Sequence, residues 1–296
     1  MSNVEKYLRP EVIKEISRLD LKAKFIVEGF LSGLHGSFRH GFSVEFSEYR
    51  RYIPGDEPRY IDWGAYARTD KYFVKLFQAE TTLEGFLAVD ISGSMDYGTT
   101  SLTKLEYAIC LAASLGYLMI NQKDSVGLFT YDERPRSVFP ARSKNLHLTR
   151  ILTELARSRP GGRTRFADSM SRLAAFVRHR SLIMVFSDLL SPLDEIARGL
   201  AYLRHSRHDV VIFHVLDAQE RNFGFSGPVD MVDPETGDAV PVAPEIVRGA
   251  YLQALGNHIE EVKRECSRQR IEYVGIDTST PFDRALTQFL VRRAGK

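Results

Sequence analysis

FLAVDISGSM, residues 86–95, is the stretch from which both the fold and the chemistry of this chain are read. Phe86 to Val89 form an apolar run without alternation, as expected of a strand buried on both faces. Asp90 closes the run, a Gly/Ser turn follows, and a helix is expected from about Lys104 to Asn121. The same order then repeats. SVGLFTYD (125–132), SLIMVFSD (181–188), DVVIFHVLD (209–217) and IEYVGID (271–277) read as strands. Helical patterns lie between and after them at 145–158, 167–179, 194–206, 245–269 and near 282–293. Apolar strands each followed by an amphipathic helix predict an α/β fold, a doubly wound and mostly parallel sheet with helices on both faces. In such sheets ligands sit outside the carboxyl ends of the strands, so the residues following these runs carry the interest.

Outward from that core, the 296 residues allow one large domain or two smaller ones at roughly 150 residues each. The expected division is an N-terminal extension, 1–85, packed on a main domain, 86–296, with an insert at about 218–244. The extension opens with a helical pattern from Pro10 and Glu11, loosens into a loop at Gly33–Gly41, and alternates up to the Pro54-Gly55 turn. KYFVKLF, 71–77, reads as a strand. Within the insert, MVDPETGDAVPV (231–242) predicts a hairpin around Glu235-Thr236-Gly237.

Composition excludes several classes. Hydrophobic residues at 44% and charged residues at 26% argue against wholesale disorder. A net charge of +2, without a block of one sign, is a poor footprint for a nucleic-acid binder. Cys110 and Cys266 lie far apart in helical patterns, which excludes a disulfide framework and a cysteine zinc site. Tyr107 to Ile120 carries no charge over 14 residues, short of the ~20 that span a bilayer, and reads as a buried helix. The start, MSNVEKYLRPEVIKE, has no apolar signal segment, so a soluble, cytoplasmic protein without a membrane span is expected.

The turn after the first strand places Asp90, Ser92 and Ser94 at alternate positions, so one carboxylate and two hydroxyls can face one point. An all-oxygen set suits a hard cation, Mg²⁺ or Mn²⁺. Thr164, after Gly161-Gly162, adds a hydroxyl, and Asp188, ending the LIMVFSD strand, adds a second carboxylate. Five oxygens with only two formal charges leave the ion electrophilic, with room for water or an outside carboxylate. The alternative is a strand-to-helix turn whose side chains cap the backbone. Thr164 and Asp188, at the ends of neighbouring elements, tip the balance to the metal.

Asp90, Ser92, Ser94, the Gly-Gly-x-Thr at 161–164 and Ser187-Asp188 resemble the metal-ion-dependent adhesion site of von Willebrand factor A domains. HGFSVEFSEYRRYIPGDEPRYIDWGAYARTDKYFVKLFQAE, 40–80, closely resembles the signature of the bacterial "domain of unknown function 58" family. KLEYAICLAASLGYL, DSVGLFTYDE and DVVIFHVLDAQE resemble it too. The resemblance implies a von Willebrand A-like fold with an N-terminal helix and strand extension. It also implies work alongside a MoxR-like AAA+ ATPase in chaperone-like assembly. Two departures stand out. Many members carry transmembrane helices ahead of the signature and none is apparent here, and Ser-Asp-Leu-Leu replaces the Thr-Asp-Gly of many von Willebrand A domains, which predicts a less mobile loop.

Other residues have simpler readings. Arg50, Arg51, Tyr52, Pro54, Gly55, Asp56, Arg59, Asp62, Trp63 and Arg68 suggest a partner surface. A structural knot is preferred, with Asp56 and Asp62 paired to arginines and Trp63 packed onto the sheet. Asp96 reads as a solvated carboxylate, His205 and His208 as surface residues and His214 as half-buried. Arg157, Arg159, Arg163 and Arg165 read as solvating charges that balance the site's carboxylates. Walker A, nucleotide-binding G-x-G-x-x-G and G-x-S-x-G signatures are missing. The expectation is therefore a non-enzymatic interaction module whose bound cation takes an Asp or Glu from a partner, a MoxR-like ATPase or its substrate. The alternatives are a metal-dependent phosphoester hydrolase, for which two carboxylates are thin provision, and a scaffold with a vestigial site.

Overall fold

Strand β3 (Glu84–Asp90) is buried at every position after its first residue, which is what a non-alternating apolar run requires of a central strand. The computed structural model describes residues 44–53, 61–79, 83–281, 284–286 and 288–290. These fall in two compact units, one within 29–82 and the other from Leu83 onward. The predicted helix from Pro10, the Gly33–Gly41 loop, Pro54, Gly55, Asp56 and Arg59 lie outside the described residues, as do 282, 283, 287 and 291–293 of the last predicted helix.

In the first unit, β1 (Val44–Arg51) pairs antiparallel with β2 (Phe73–Ala79), with an irregularity between Phe46 and Glu48. The short helix α1 (Trp63–Thr69) starts where Asp62 Oδ1 accepts from Gly64 N at 2.9 Å and Ala65 N at 3.0 Å. Trp63 stands edge-on to Tyr66 and Tyr72 within this unit and is 59% exposed. As the first residue of a seven-residue helix, it finds its neighbours in the adjacent aromatic rings.

The second unit is built on six strands. Chain order runs β3, α2 (Lys104–Asn121), β4 (Ser125–Tyr131), β5 (Pro135–Arg142), α3 (Asn145–Arg157), α4 (Phe166–Phe176), β6 (Leu182–Ser187), α5 (Leu193–His205) and β7 (Asp209–Leu216). There follow α6 (Ala218–Asn222), β8 (Val229–Val232), β9 (Ala239–Val242), α7 (Pro244–Arg268) and β10 (Glu272–Asp277). The sheet order is β10-β7-β6-β3-β4-β5, parallel throughout except for β5 at one edge. The chain therefore winds outward from β3 through β4 to β5, then returns to lay β6, β7 and β10 on the other side. This is the doubly wound sheet expected of a von Willebrand A-like domain, and its switch point lies between β3 and β6.

Helices cover both faces. Phe86, Ala88, Ile183, Val185, Val210 and Ile212 meet α4, α5 and α7 through Phe166, Met170, Leu200, Leu203, Val262 and Cys266. On the other face α2 is buried along most of its length, which explains its uncharged run. Its start is fixed by a capping box, Thr103 Oγ1 accepting from Glu106 N and Glu106 Oε2 from Thr103 N, both at 3.2 Å. Phe186 and Phe213 stack at 4.7 Å, with Phe289 edge-on to Phe213. Strand β5 is absent from the sequence reading, because Pro135 and Pro140 argue against a strand and its residues are mostly half-exposed. Both prolines are tolerated at an edge that pairs on one side only.

Candidate metal centre

Parallel register sets the site. Asp90 pairs with Tyr131, Val89 with Phe186, and Ser187 with His214, so the carboxyl ends of β3, β4, β6 and β7 finish level at the switch point. Asp90 is fully buried there. Its Oδ1 accepts from Ser92 N at 3.0 Å and its Oδ2 from Ser187 Oγ at 2.7 Å. Ser92 and Ser94 are also buried, their hydroxyl oxygens 3.2 Å apart. Burial first, and the Asp188 charge second, push the Asp90 carboxyl up to about 7.

Asp188 behaves in the opposite way. Burial is the largest influence and works against its charge, but the Lys104 ammonium at 2.8 Å and the hydrogen bonds the carboxylate accepts together outweigh it, and the carboxyl is held below the usual range. Bonds from the Ser94 hydroxyl and from Leu190 N are among these. Lys104 is itself fully buried and reaches Glu220 Oε1 at 2.6 Å, and these two carboxylates keep it charged against the cost of burial. Glu220 is placed by the end of β7. Asp217 caps α6, and Asp217 N donates to Glu220 Oε2 at 2.8 Å.

The loop after β6 is tied down. His214 is buried and not half-buried as expected. Its Nε2 lies 2.7 Å from the Asp188 carbonyl and its Nδ1 2.8 Å from Tyr273 Oη, and burial pushes the ring down to about 4. The neutral ring therefore donates from Nε2 and accepts at Nδ1. Leu189, where many von Willebrand A domains carry glycine, has φ 48° and is held by burial. Its carbonyl meets His258 Nε2 at 2.9 Å. A leucine in this region is strained, so the packing around it over-determines the loop. His208, expected at the surface, is also buried, with Nδ1 accepting from Ser181 N at 3.3 Å. His205 and Asp96 are exposed, as are Arg157, Arg159, Arg163 and Arg165.

Thr164 comes from the loop between α3 and α4. Gly93 N donates to Gly162 O at 2.9 Å and Gly161 N to Ile91 O at 3.0 Å, which lace that loop to the Ser92–Ser94 turn. Gly162 adopts φ 74°, which glycine accepts without cost. Thr164 Oγ1 donates to Glu235 Oε1 at 3.2 Å, so its hydroxyl is directed at the tip of the β8–β9 hairpin. Asp90, Ser92, Ser94 and Asp188 thus share one buried hydrogen-bonded cluster, and Thr164 adjoins it through the laced loops. Among the described residues no group of three or more His, Cys, Asp or Glu is arranged as a metal site. The candidate set is accordingly hydroxyl-rich.

These donors fit a hard divalent cation. Every donor is oxygen, and buried Asp90 and Asp188 with half-buried Glu220 set three carboxyl groups around the ammonium of Lys104; the Asp90 carboxyl, pushed up to about 7 by burial, is a group that a cation beside it would hold charged. Sequence reasoning missed Lys104, Glu220, His214 and Glu235. Lys104 is hidden as the first residue of a helix and Glu220 comes from a distant strand end. The hairpin was legible, but not where its tip would dock.

A family model described as "Protein of unknown function DUF58" matches residues 48–261. The "Uncharacterized protein Rv1480" of Mycobacterium tuberculosis is 29% identical over 261 residues, covering 86% of this chain and 81% of its own length. A counterpart in Mycobacterium bovis, also uncharacterized, aligns to the same extent. Among solved structures, an aerotolerance-related membrane protein from Bacteroides fragilis is similar at 18% identity, covering 71% of this chain and 99% of that one, with a TM-score of 0.47. The SpRpn10 VWA domain aligns at 14% identity over 71% of this chain and 95% of its own, with a TM-score of 0.41.

Proposed function

The chain belongs to the DUF58 family of unknown function, and from that premise we propose that it is a non-enzymatic, metal-dependent protein-interaction module. Asp90, Ser92, Ser94, Thr164 and Asp188 would hold Mg²⁺ or Mn²⁺, and the ion would supply Lewis-acid affinity for a carboxylate of a partner protein. What supports this reading is the buried cluster of Asp90, Ser92, Ser94 and Asp188 at the switch point of the sheet. Lys104 steadies Asp188, the hydroxyl of Ser187 orients Asp90, and His214 fixes the backbone that carries Asp188.

The partner class implied by the family resemblance is a MoxR-like AAA+ ATPase or a protein that it remodels, met in the cytoplasm. No helix among the described residues is long and apolar enough to cross a membrane. The test uses Asp90→Asn, whose Oδ1 can still accept from Ser92 N and whose Nδ2 can donate to Ser187 Oγ once that hydroxyl turns, while the charge is lost. Titration calorimetry with Mg²⁺ and Mn²⁺ is expected to show binding to the parent and none to the variant. Capture of the purified ATPase should require Mg²⁺ and disappear with EDTA or in Asp90→Asn at unchanged thermal stability. Capture that persists in EDTA overturns the proposal.

A further inference from the structure

The β8–β9 hairpin has few reasons of its own to lie over the centre. It is a short pair of four-residue strands, and Val232 and Val240 are each 59% exposed. Yet its turn is tightly built. Asp233 Oδ1 accepts from Glu235 N at 2.8 Å and its Oδ2 from Thr236 Oγ1 at 3.0 Å. Gly237 N closes the turn on Asp233 O at 2.7 Å. Such a turn presents one side chain, Glu235, in a defined direction.

That direction is the metal centre. Glu235 Oε1 accepts from Thr164 Oγ1 at 3.2 Å, and Glu235 is half-buried close enough to Asp188 to feel its charge. The neighbouring Pro234 carbonyl presses on Gly93, where an added Cβ would come to 2.6 Å. Gly93 stands between Ser92 and Ser94, so the hairpin tip touches the same turn that supplies two of the hydroxyls. Glu235 brings a further carboxylate to a place where the Lys104 ammonium already answers Asp188 and Glu220, so a bound cation would relieve the remaining repulsion from Asp188.

We propose that Glu235 is a built-in ligand of this centre, occupying in cis the carboxylate position that a partner's Asp or Glu must take. The inference rests on the metal-binding reading above and deepens it. The partner then has to displace the hairpin, so the surface it meets is the Thr164 loop and the Ser92–Ser94 turn laid open. In the absence of a partner the cation is shielded from water and from adventitious anions.

The test compares the full chain with Glu235→Gln and Glu235→Ala, using Mn²⁺ and Mg²⁺ as probes. A glutamine keeps an oxygen for Thr164 but loses the charge, which separates metal ligation from a plain hydrogen bond. Both variants should bind Mg²⁺ about 3- to 10-fold more weakly, because one anionic ligand is lost. Water-proton relaxation of the Mn²⁺-loaded protein should rise in both, as a coordination position opens to water. Hydrogen exchange at 229–242 should slow with Mg²⁺ in the parent and not in the variants. Metal affinity, relaxation and exchange unchanged by both substitutions, in a parent that binds the ions, overturn this inference and leave the metal centre standing. A parent that binds neither ion overturns the metal centre and the inference with it.

Discussion

Lys104→Met removes the one buried ammonium of the centre while nearly preserving the shape of the chain that carries it. The side chain is fully buried, 2.8 Å from Asp188 Oδ2 and 2.6 Å from Glu220 Oε1. At an effective dielectric of ~20, each such contact is worth about 6 kcal/mol of Coulomb attraction. Much of that is offset, because the variant no longer has to desolvate an ammonium. Removing one partner of a buried pair costs about 3–5 kcal/mol in practice, since the orphaned charges stay behind. Two carboxylates are orphaned here, with Asp90 close by. The expected loss is therefore about 3–5 kcal/mol, or a fall in melting temperature on the order of 10 °C. Urea denaturation followed by circular dichroism, with scanning calorimetry alongside, measures it in metal-free buffer. If a divalent cation binds among the same carboxylates, millimolar Mg²⁺ should raise the melting temperature more in Lys104→Met than in the parent, because the ion meets a more negative site. A variant within about 1 kcal/mol of the parent without metal would refute the account of the ammonium as the counter-charge of the centre.

Two further changes probe the scaffold. Burial pushes the Asp124 carboxyl up to about 7, opposed only in part by the Leu83 N–H it accepts at 2.9 Å. Against an unfolded value of ~3.9, its stabilising contribution is complete below pH ~4 and is lost as pH rises through about 7. Asp124→Asn should therefore be the more stable protein at pH 8, by on the order of 3 kcal/mol, with the gap closing toward pH 4; an equal offset at both pH values in urea titrations contradicts this. Tyr107 Oη donates to the Thr280 carbonyl at 2.7 Å from a buried position on α2. Tyr107→Phe should cost about 1–3 kcal/mol and speed hydrogen exchange around Thr280, and unaltered exchange there would show that the bond does not anchor the segment after β10.

Much of the architecture was legible because a doubly wound sheet writes itself locally. Apolar strands such as LIMVFS must be covered on both faces, and the helices that cover them carry their own period. The insert hairpin was legible for the same kind of reason, its turn being specified by Asp233, Glu235, Thr236 and Gly237 in sequence. Edge strand β5 was not, since pairing on one side leaves no strong pattern and its prolines speak against it. The burial of His208 and His214 was also invisible, because a histidine in a strand or turn declares nothing about which groups will face it.

At the centre the division is sharper. Asp90, Ser92 and Ser94 share a turn, so their convergence is a local matter that three residues of chain can specify. The meeting of Asp90 with Asp188 depends on β3 lying beside β6, a parallel pairing of strands nearly a hundred residues apart in the chain. Lys104, Glu220 and Glu235 reach the centre from α2, α6 and the hairpin, through contacts that no periodicity encodes. Residue types alone thus named the oxygens suited to a cation. Only the winding of the chain decided which charges surround them, because Coulomb interactions depend on distance in space and are indifferent to separation along the sequence.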